Sequence, residues 1–134
     1  MARTCCLAGI DDARLPVLSA AITSADAAAL VTVAPLDVTE LGRRSPDLLV
    51  CDVDGIDIDP IELLRQVRFV LPDATIAVYT GLLETPWGRA CHLAGANCLL
   101  SKGSDQALLM RGLLVALKSG CYTDPRFAAV SAGR

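Results

Sequence analysis

A chain of 134 residues with a formal charge of −3 and no long basic run is one domain's worth of sequence, long enough to bury a core without disulfide or metal staples. Hydrophobic residues make up 53% of it and aromatic ones only 4%, so the core must be built from Ala, Val, Leu and Ile. That balance excludes a stacking platform for single-stranded nucleic acid and offers no electrostatic footprint for a phosphate backbone.

The chain alternates short apolar runs with longer amphipathic stretches. Thr4 to Ile10 predicts a first strand that ends at Asp11 and Asp12, and Arg14 to Thr23 a helix with Leu15, Leu18 and Ile22 on one face. Pro16 falls in that helix's first turn, where proline is tolerated. Ala29 to Ala34 reads as a β-branched second strand, followed by a short helix from Val38 to Arg43 and a break at Ser45-Pro46-Asp47. Leu48 to Val53 is apolar but for Asp52, the pattern of a central parallel strand buried on both faces. Pro60 opens a helix that runs to about Val70 and stops at Leu71-Pro72-Asp73. Thr75 to Thr80 is a fourth strand, Thr85 to Leu93 a helix closed by Gly95, and Asn97 to Leu100 a fifth strand. Ser104 is placed as N-cap of a last helix, Asp105 to Lys118, with Gly120 as its stop. The sum is (βα)₅, a doubly wound five-stranded parallel sheet with right-handed crossovers.

Two features bear on setting. The longest stretch without Lys, Arg, Asp or Glu, Ala90 to Ser101, is far short of the roughly 18 residues of a membrane-spanning helix. Met1-Ala2-Arg3 leads to Asp11 and Asp12 before any signal-peptide pattern develops, so a cytoplasmic location is expected. The six cysteines include the adjacent Cys5 and Cys6 and a Cys51 inside an apolar run, with no CxxC pair. They lack zinc-site spacing and read as reduced, mostly buried hydrophobes.

Ligands of such sheets bind outside the carboxyl ends of the strands, at the topological switch point. The first strand ends in Asp11 and Asp12, the third in Asp52, the fourth in Thr80 and the fifth just before Lys102. The second, at the edge, supplies nothing comparable. Three carboxylates brought together repel one another unless a cation neutralises them, and all-oxygen ligation at a partly hydrated site suits Mg²⁺. Lys102 adds a point charge for a phosphate and Thr80 a hydroxyl donor. A metal, a lysine and a hydroxyl around one carboxylate are the apparatus for phosphoryl transfer to it. Each residue alone is an ordinary strand-end polar group; their convergence carries the reading.

At these residues the sequence resembles the receiver domain of two-component response regulators, over nearly its whole length and most closely receivers that precede helix-turn-helix outputs of the LuxR type. Pro46-Asp47-Leu48-Leu49-Val50-Cys51-Asp52 is similar to that family's third strand and phosphoacceptor, and Gly95 to Lys102 resembles the fifth-strand segment that delivers its lysine. Gly120-Cys121-Tyr122-Thr123-Asp124-Pro125 resembles the exit from its final helix. The intervals, 28 residues from Asp52 to Thr80 and 22 from there to Lys102, need no gaps. The resemblance implies a CheY-like, flavodoxin-like three-layer sandwich over residues 1–122, with 123–134 a tail or the start of a linker. It implies Asp52 as acceptor from a histidine kinase or phosphotransfer protein, and Mg²⁺ held by Asp11, Asp12, Asp52 and the backbone carbonyl of Asp54. Thr80 would move to meet the phosphoryl group and Lys102 would pair with it. A surface of helix four, strand five and helix five would then shift, serving a partner, a homodimer or a transcriptional output domain outside this chain. On this resemblance the chain is a switch rather than an enzyme, and binds neither nucleic acid nor membrane itself.

Departures from the family pattern stand beside the match. The 40-residue interval from Asp12 to Asp52 is short, which places a stunted second helix. The loop Gly55-Ile56-Asp57-Ile58-Asp59-Pro60 replaces the usual Met-Pro-Gly pattern, and Leu99 stands where Tyr or Phe is common. Asp54, Asp57 and Asp59 make the loop acidic, with two possible effects: tighter Mg²⁺ or hindered phosphate approach. These departures motivate a second reading, a receiver-shaped interaction module that does not use phosphate. A third, a haloacid-dehalogenase-type phosphatase, rests on Asp52-Val53-Asp54-Gly55, with the first Asp as nucleophile and the second as acid or base. Against it stand Ile56 where that family has Thr, two strands before the nucleophile, and only Asp105 and Asp124 as later acids. His92, Arg89 and Arg111 read as surface residues, and Trp87 as either packing or a partner anchor.

Overall fold

The computed structural model describes residues 2–127. Its strands are β1 (Thr4–Ala8), β2 (Leu30–Ala34), β3 (Leu48–Cys51), β4 (Thr75–Thr80), β5 (Cys98–Ser101) and β6 (Tyr122–Thr123), all parallel, in the order β2-β1-β3-β4-β5-β6. Between them run α1 (Leu15–Ala25), α2 (Val38–Arg44), α3 (Pro60–Val70), α4 (Thr85–Leu93) and α5 (Gln106–Ser119). The period-two alternation of the strands splits the interior into two cores. Cys6, Leu49, Cys51, Ile76, Val78 and Leu99 face Leu41 of α2, Leu64 and Val67 of α3 and Cys91 of α4. Cys5, Leu7, Val50, Ala77, Tyr79 and Leu100 face Leu18 and Ile22 of α1 and Leu109 and Leu113 of α5. All four residues of β3 are buried, as a strand apolar on both faces requires.

Two expectations are corrected. The sheet gains a sixth strand: Gly120, at φ 80°, caps α5 in the left-handed region and turns the chain back along β5. The amide of Asp124 then donates to the Leu99 carbonyl at 2.9 Å. Tyr122 lies so close over Gly112 that a β-carbon there would stand 2.5 Å from its ring. The cap of α5 is Asp105, which accepts from the Leu108 amide at 2.9 Å, not Ser104. Ser104 instead donates to the buried carboxylate of Asp124. The short second helix is present as the seven residues of α2. Of the stretch Phe127 to Arg134, residues 128–134 lie outside the described part, while Phe127 is buried beside Gly88 and Leu99.

No described helix is long and apolar enough to cross a membrane. Cys5, Cys6, Cys51, Cys91 and Cys98 are buried and Cys121 is exposed, and no described group of three or more acidic, His or Cys side chains is disposed to hold a metal. Burial pushes the thiols of Cys51, Cys91 and Cys98 up to about 12 and that of Cys5 to about 11, which suppresses the reactive thiolate. A disulfide-exchange reagent is therefore expected to titrate one thiol of the folded protein rapidly and all six after denaturation. A second fast thiol in the native state would contradict this packing.

Candidate functional site

The strand register brings the expected residues to one end of the sheet. Ala8 pairs with Cys51, Cys51 with Val78, and Thr80 with Ser101, so the residues at or just past these strand ends lie side by side. Asp52 is only 8% exposed and Thr80 is fully buried. The Lys102 amide donates to the Thr80 carbonyl at 3.0 Å, and its side chain reaches back over the sheet edge. Its Nζ stands 2.6 Å from Asp52 Oδ2 and 3.0 Å from Asp54 Oδ2. Burial alone would lower the pKa of this ammonium, but the two carboxylates outweigh it and hold the group above its ordinary value.

The Asp54 side chain joins the site, where the receiver resemblance assigned only its backbone carbonyl. Its amide donates to Asp52 Oδ1 at 2.9 Å, an Asx-type turn, and Gly55 continues the turn at φ 70°. The carboxylate thereby folds back over the sheet end. Thr80 Oγ1 donates to its Oδ1 at 2.7 Å and the Gly81 amide to its Oδ2 at 2.8 Å. Burial would raise its pKa, but the Gly81 amide, the Thr80 hydroxyl and Lys102 together bring it below the usual carboxylate value. Thr80 Oγ1 in turn accepts from the Leu82 amide at 3.0 Å and from Trp87 Nε1 at 3.2 Å. One donor and two acceptor positions exhaust a hydroxyl, so Thr80 is fully engaged. Trp87, read from sequence as packing or anchor, is a polar link between this site and α4.

The remaining carboxylates are disposed differently. Asp11 and Asp12 lie in the exposed loop after β1, which runs beside Asp52: the Asp52 amide donates to the Ala8 carbonyl at 3.2 Å. Asp11 accepts from the Arg14 amide at 3.0 Å and from Arg14 Nη1 at 2.7 Å, and this pairing lowers its pKa. By donor type Asp11, Asp12 and Asp52 suit a hard dication, but the described side chains are not gathered into a three-ligand cluster. The Arg14–Asp11 pair lies at the surface, where such pairs are weak. Of the acidic loop only Asp54 turns inward. Asp57 is exposed, and Asp59 caps α3 by accepting from the Ile61 amide at 3.0 Å. Leu99 is 2% exposed, packed against α4, and His92 is exposed with Nδ1 2.8 Å from the Ala96 carbonyl.

No protein-family model matches the chain. The methanol utilization control regulatory protein MoxX of Paracoccus denitrificans is 31% identical over 88 residues, which span 64% of this chain and 40% of that protein. A two-component response regulator of the LuxR family from Aurantimonas sp. SI85-9A1 superposes with a TM-score of 0.82 at 21% identity, covering 100% of this chain and 99% of that one. The isolated receiver domain of RcsB from Salmonella enterica serovar Typhimurium, solved in the presence of the phosphomimetic BeF₃⁻, gives 0.80 at 16% identity over 97% and 99% of the two chains. A LuxR family DNA-binding response regulator from Silicibacter pomeroyi gives 0.73 at 22% identity over 92% and 98%. The chain has the fold of response-regulator receiver domains.

Proposed function

We propose that this chain, folded as a receiver, is the receiver of a two-component response regulator and takes a phosphoryl group on Asp52. The observation that carries the reading is the Lys102 ammonium 2.6 Å from the Asp52 carboxylate at the carboxyl end of the sheet, with buried Thr80 on the neighbouring strand. An Asp52 oxygen would attack the phosphorus of a phosphohistidine or acyl phosphate. The new P–O bond forms as the old P–N or P–O bond breaks, and the electron pair leaves with the donor. Lys102 supplies positive charge where the transferred oxygens gather, and the Thr80 hydroxyl supplies a donor. Asp11, Asp12, Asp52 and the Asp54 carbonyl would hold Mg²⁺, which when bound offsets the charge of the phosphoryl oxygens.

The natural donors are a histidine kinase or a phosphotransfer protein. The reading takes the receiver body through Phe127 rather than residue 122, since Thr123 pairs with β5 and Asp124 and Phe127 are buried, and gives the residues that follow to the exit toward an output segment. Because MoxX is matched over only 40% of its length, transcriptional control through a further domain belongs to this proposal. Trp87 ties Thr80 to α4 at 3.2 Å, a route by which a change at Asp52 reaches the α4–β5–α5 surface and a partner or second copy there.

The test is to incubate the purified chain with acetyl phosphate, with and without Mg²⁺, and map any modification by intact mass and peptide analysis. One phosphoryl group on Asp52, dependent on Mg²⁺ and absent from Asp52→Asn, is expected. A folded chain that takes none in either the parent or an Asp54→Ala form, or that carries the label elsewhere, overturns the reading. One observation favours the phosphate-independent module: Thr80, Gly81 and Lys102 already engage a resident anion, Asp54.

A further inference from the structure

Three donors at the carboxyl ends of two neighbouring strands converge beside Asp52. The Thr80 hydroxyl at 2.7 Å, the Gly81 amide at 2.8 Å and the Lys102 ammonium at 3.0 Å all address the two oxygens of Asp54. The same ammonium lies 2.6 Å from Asp52 Oδ2. A hydroxyl, a backbone N–H and a cation held at the carboxyl end of a folded sheet are a preorganised oxyanion seat. A phosphoryl group carried on Asp52 Oδ2 as an acyl phosphate would extend into the space these donors serve. A carboxylate two residues further along the chain now fills it.

We propose that Asp54 is a tethered oxyanion that occupies the seat of the phosphoryl group, so that it competes with phosphorylation of Asp52 and holds Thr80 in its anion-engaged position beforehand. The proposal rests on Asp52 being the acceptor, but the seat itself does not. The tether is short and already turned: the Asp54 amide is bound to Asp52 Oδ1, and Gly55 takes the positive φ that the reversal needs. A β-carbon on Gly81 would stand 3.8 Å from Asp54 Oδ2 and 3.8 Å from Lys102 Cδ. While Asp54 stays, the Thr80 hydroxyl and the Gly81 amide are both given to it and neither is free for a second anion. Phosphorylation therefore requires Asp54 to withdraw, and its loop, with exposed Gly55, Asp57 and Ile58, has the freedom to do so.

The single tryptophan makes the idea measurable, because its indole N–H donates to Thr80 Oγ1 at 3.2 Å. In Asp54→Ala, labelling of Asp52 by acetyl phosphate with Mg²⁺ is expected to run about tenfold faster than in the parent, the worth of roughly one net hydrogen bond freed for the incoming group. Asp54→Asn repeats the comparison at nearly constant volume. Separately, inorganic phosphate titrated into Asp52→Asn/Asp54→Ala should move the indole N–H resonance of Trp87 saturably, and leave the parent's unmoved because its seat is full. No response in the double variant shows that these donors are not an oxyanion seat and overturns the proposal. Labelling that is unchanged or slower in both Asp54 variants overturns the competition. If phosphate moves the indole but no form is labelled on Asp52, the seat stands and the receiver function falls.

Discussion

Replacing Arg68 with alanine should lower the unfolding free energy by about 3 kcal/mol, an effect as large as a core deletion from a residue that reads as an ordinary helix-surface charge. Its guanidinium sits at the end of α3 and collects carbonyls that no secondary structure satisfies. Nη1 donates to Leu71 at 2.9 Å and Ala74 at 2.8 Å, and Nη2 to Gly95 at 2.7 Å and to Asn97 Oδ1 at 2.6 Å. Asn97 Oδ1 also accepts from the Ile76 amide at 2.8 Å, so Arg68 steadies the residue that leads into β5. Burial lowers the arginine's pKa, with a smaller opposing pull from Asp73, but an arginine starts so high that the charge stays. Its stem packs on Gly95, where a β-carbon would be 2.8 Å away, at φ 120°. The truncation strands several acceptors at once. Water reaches some of them, which keeps the loss near 3 kcal/mol rather than the sum of the separate bonds. Arg68→Lys should recover less than half, since an ammonium cannot fork between the two loops. The adjacent Phe69 is 86% exposed, and Phe69→Ala should fall within about 0.5 kcal/mol of the parent. Urea unfolding of the three variants decides it. A loss below about 1 kcal/mol in Arg68→Ala would mean that the cluster adds nothing beyond what water provides.

The same arginine marks where sequence reasoning reaches its limit. Strand β4, Thr75–Thr80, and helices α3 and α4 match their expected bounds at both ends, because Pro60, Pro72 and Pro86 punctuate them and proline acts locally. The strands β1, β3 and β5 differ by one or two residues, since hydrogen bonding rather than apolarity ends a strand. A two-residue strand such as β6 carries no alternation to read; its pairing is made by the turn at Gly120 and the docking of Tyr122. The candidate site divides in the same way. Asp52, Thr80 and Lys102 were legible because a parallel sheet delivers its strand ends to one place. The inward turn of Asp54 depends on loop geometry set by its amide's hydrogen bond to Asp52 and the positive φ of Gly55, and the only trace of it in the sequence is an excess of acid in that loop. For Asp11 the rival partner was in plain view: Arg14 lies three residues on, and the two pair at 2.7 Å.

Lys102→Met keeps most of the side chain's volume while removing its charge, so its effect isolates what the ammonium contributes. The expected loss is about 2–4 kcal/mol of stability, together with loss of phosphoryl acceptance. The side chain of Lys102 is 17% exposed, and those of Asp52 and Asp54 are 9% and 19% exposed, too enclosed for water to take over the neutralising role. Asp54 would keep the Thr80 hydroxyl and the Gly81 amide. Asp52 would keep one amide, that of Asp54, at 2.9 Å. Two carboxylates would then face one another with three neutral donors between them, a repulsion that the parent sheet edge does not carry. A double-mutant cycle separates this from simple loss of packing. If the charge dominates, Asp52→Asn should be close to neutral or stabilising in the Lys102→Met background and destabilising in the parent. The coupling expected from urea unfolding is about 1–3 kcal/mol. Additive effects would show that Lys102 acts on Asp52 through packing alone, and would remove the electrostatic basis for assigning it to the phosphoryl group. A large coupling with no label from acetyl phosphate in the parent or in its Asp54→Ala form would leave the ion pair a structural clasp and remove Asp52 as the phosphoacceptor.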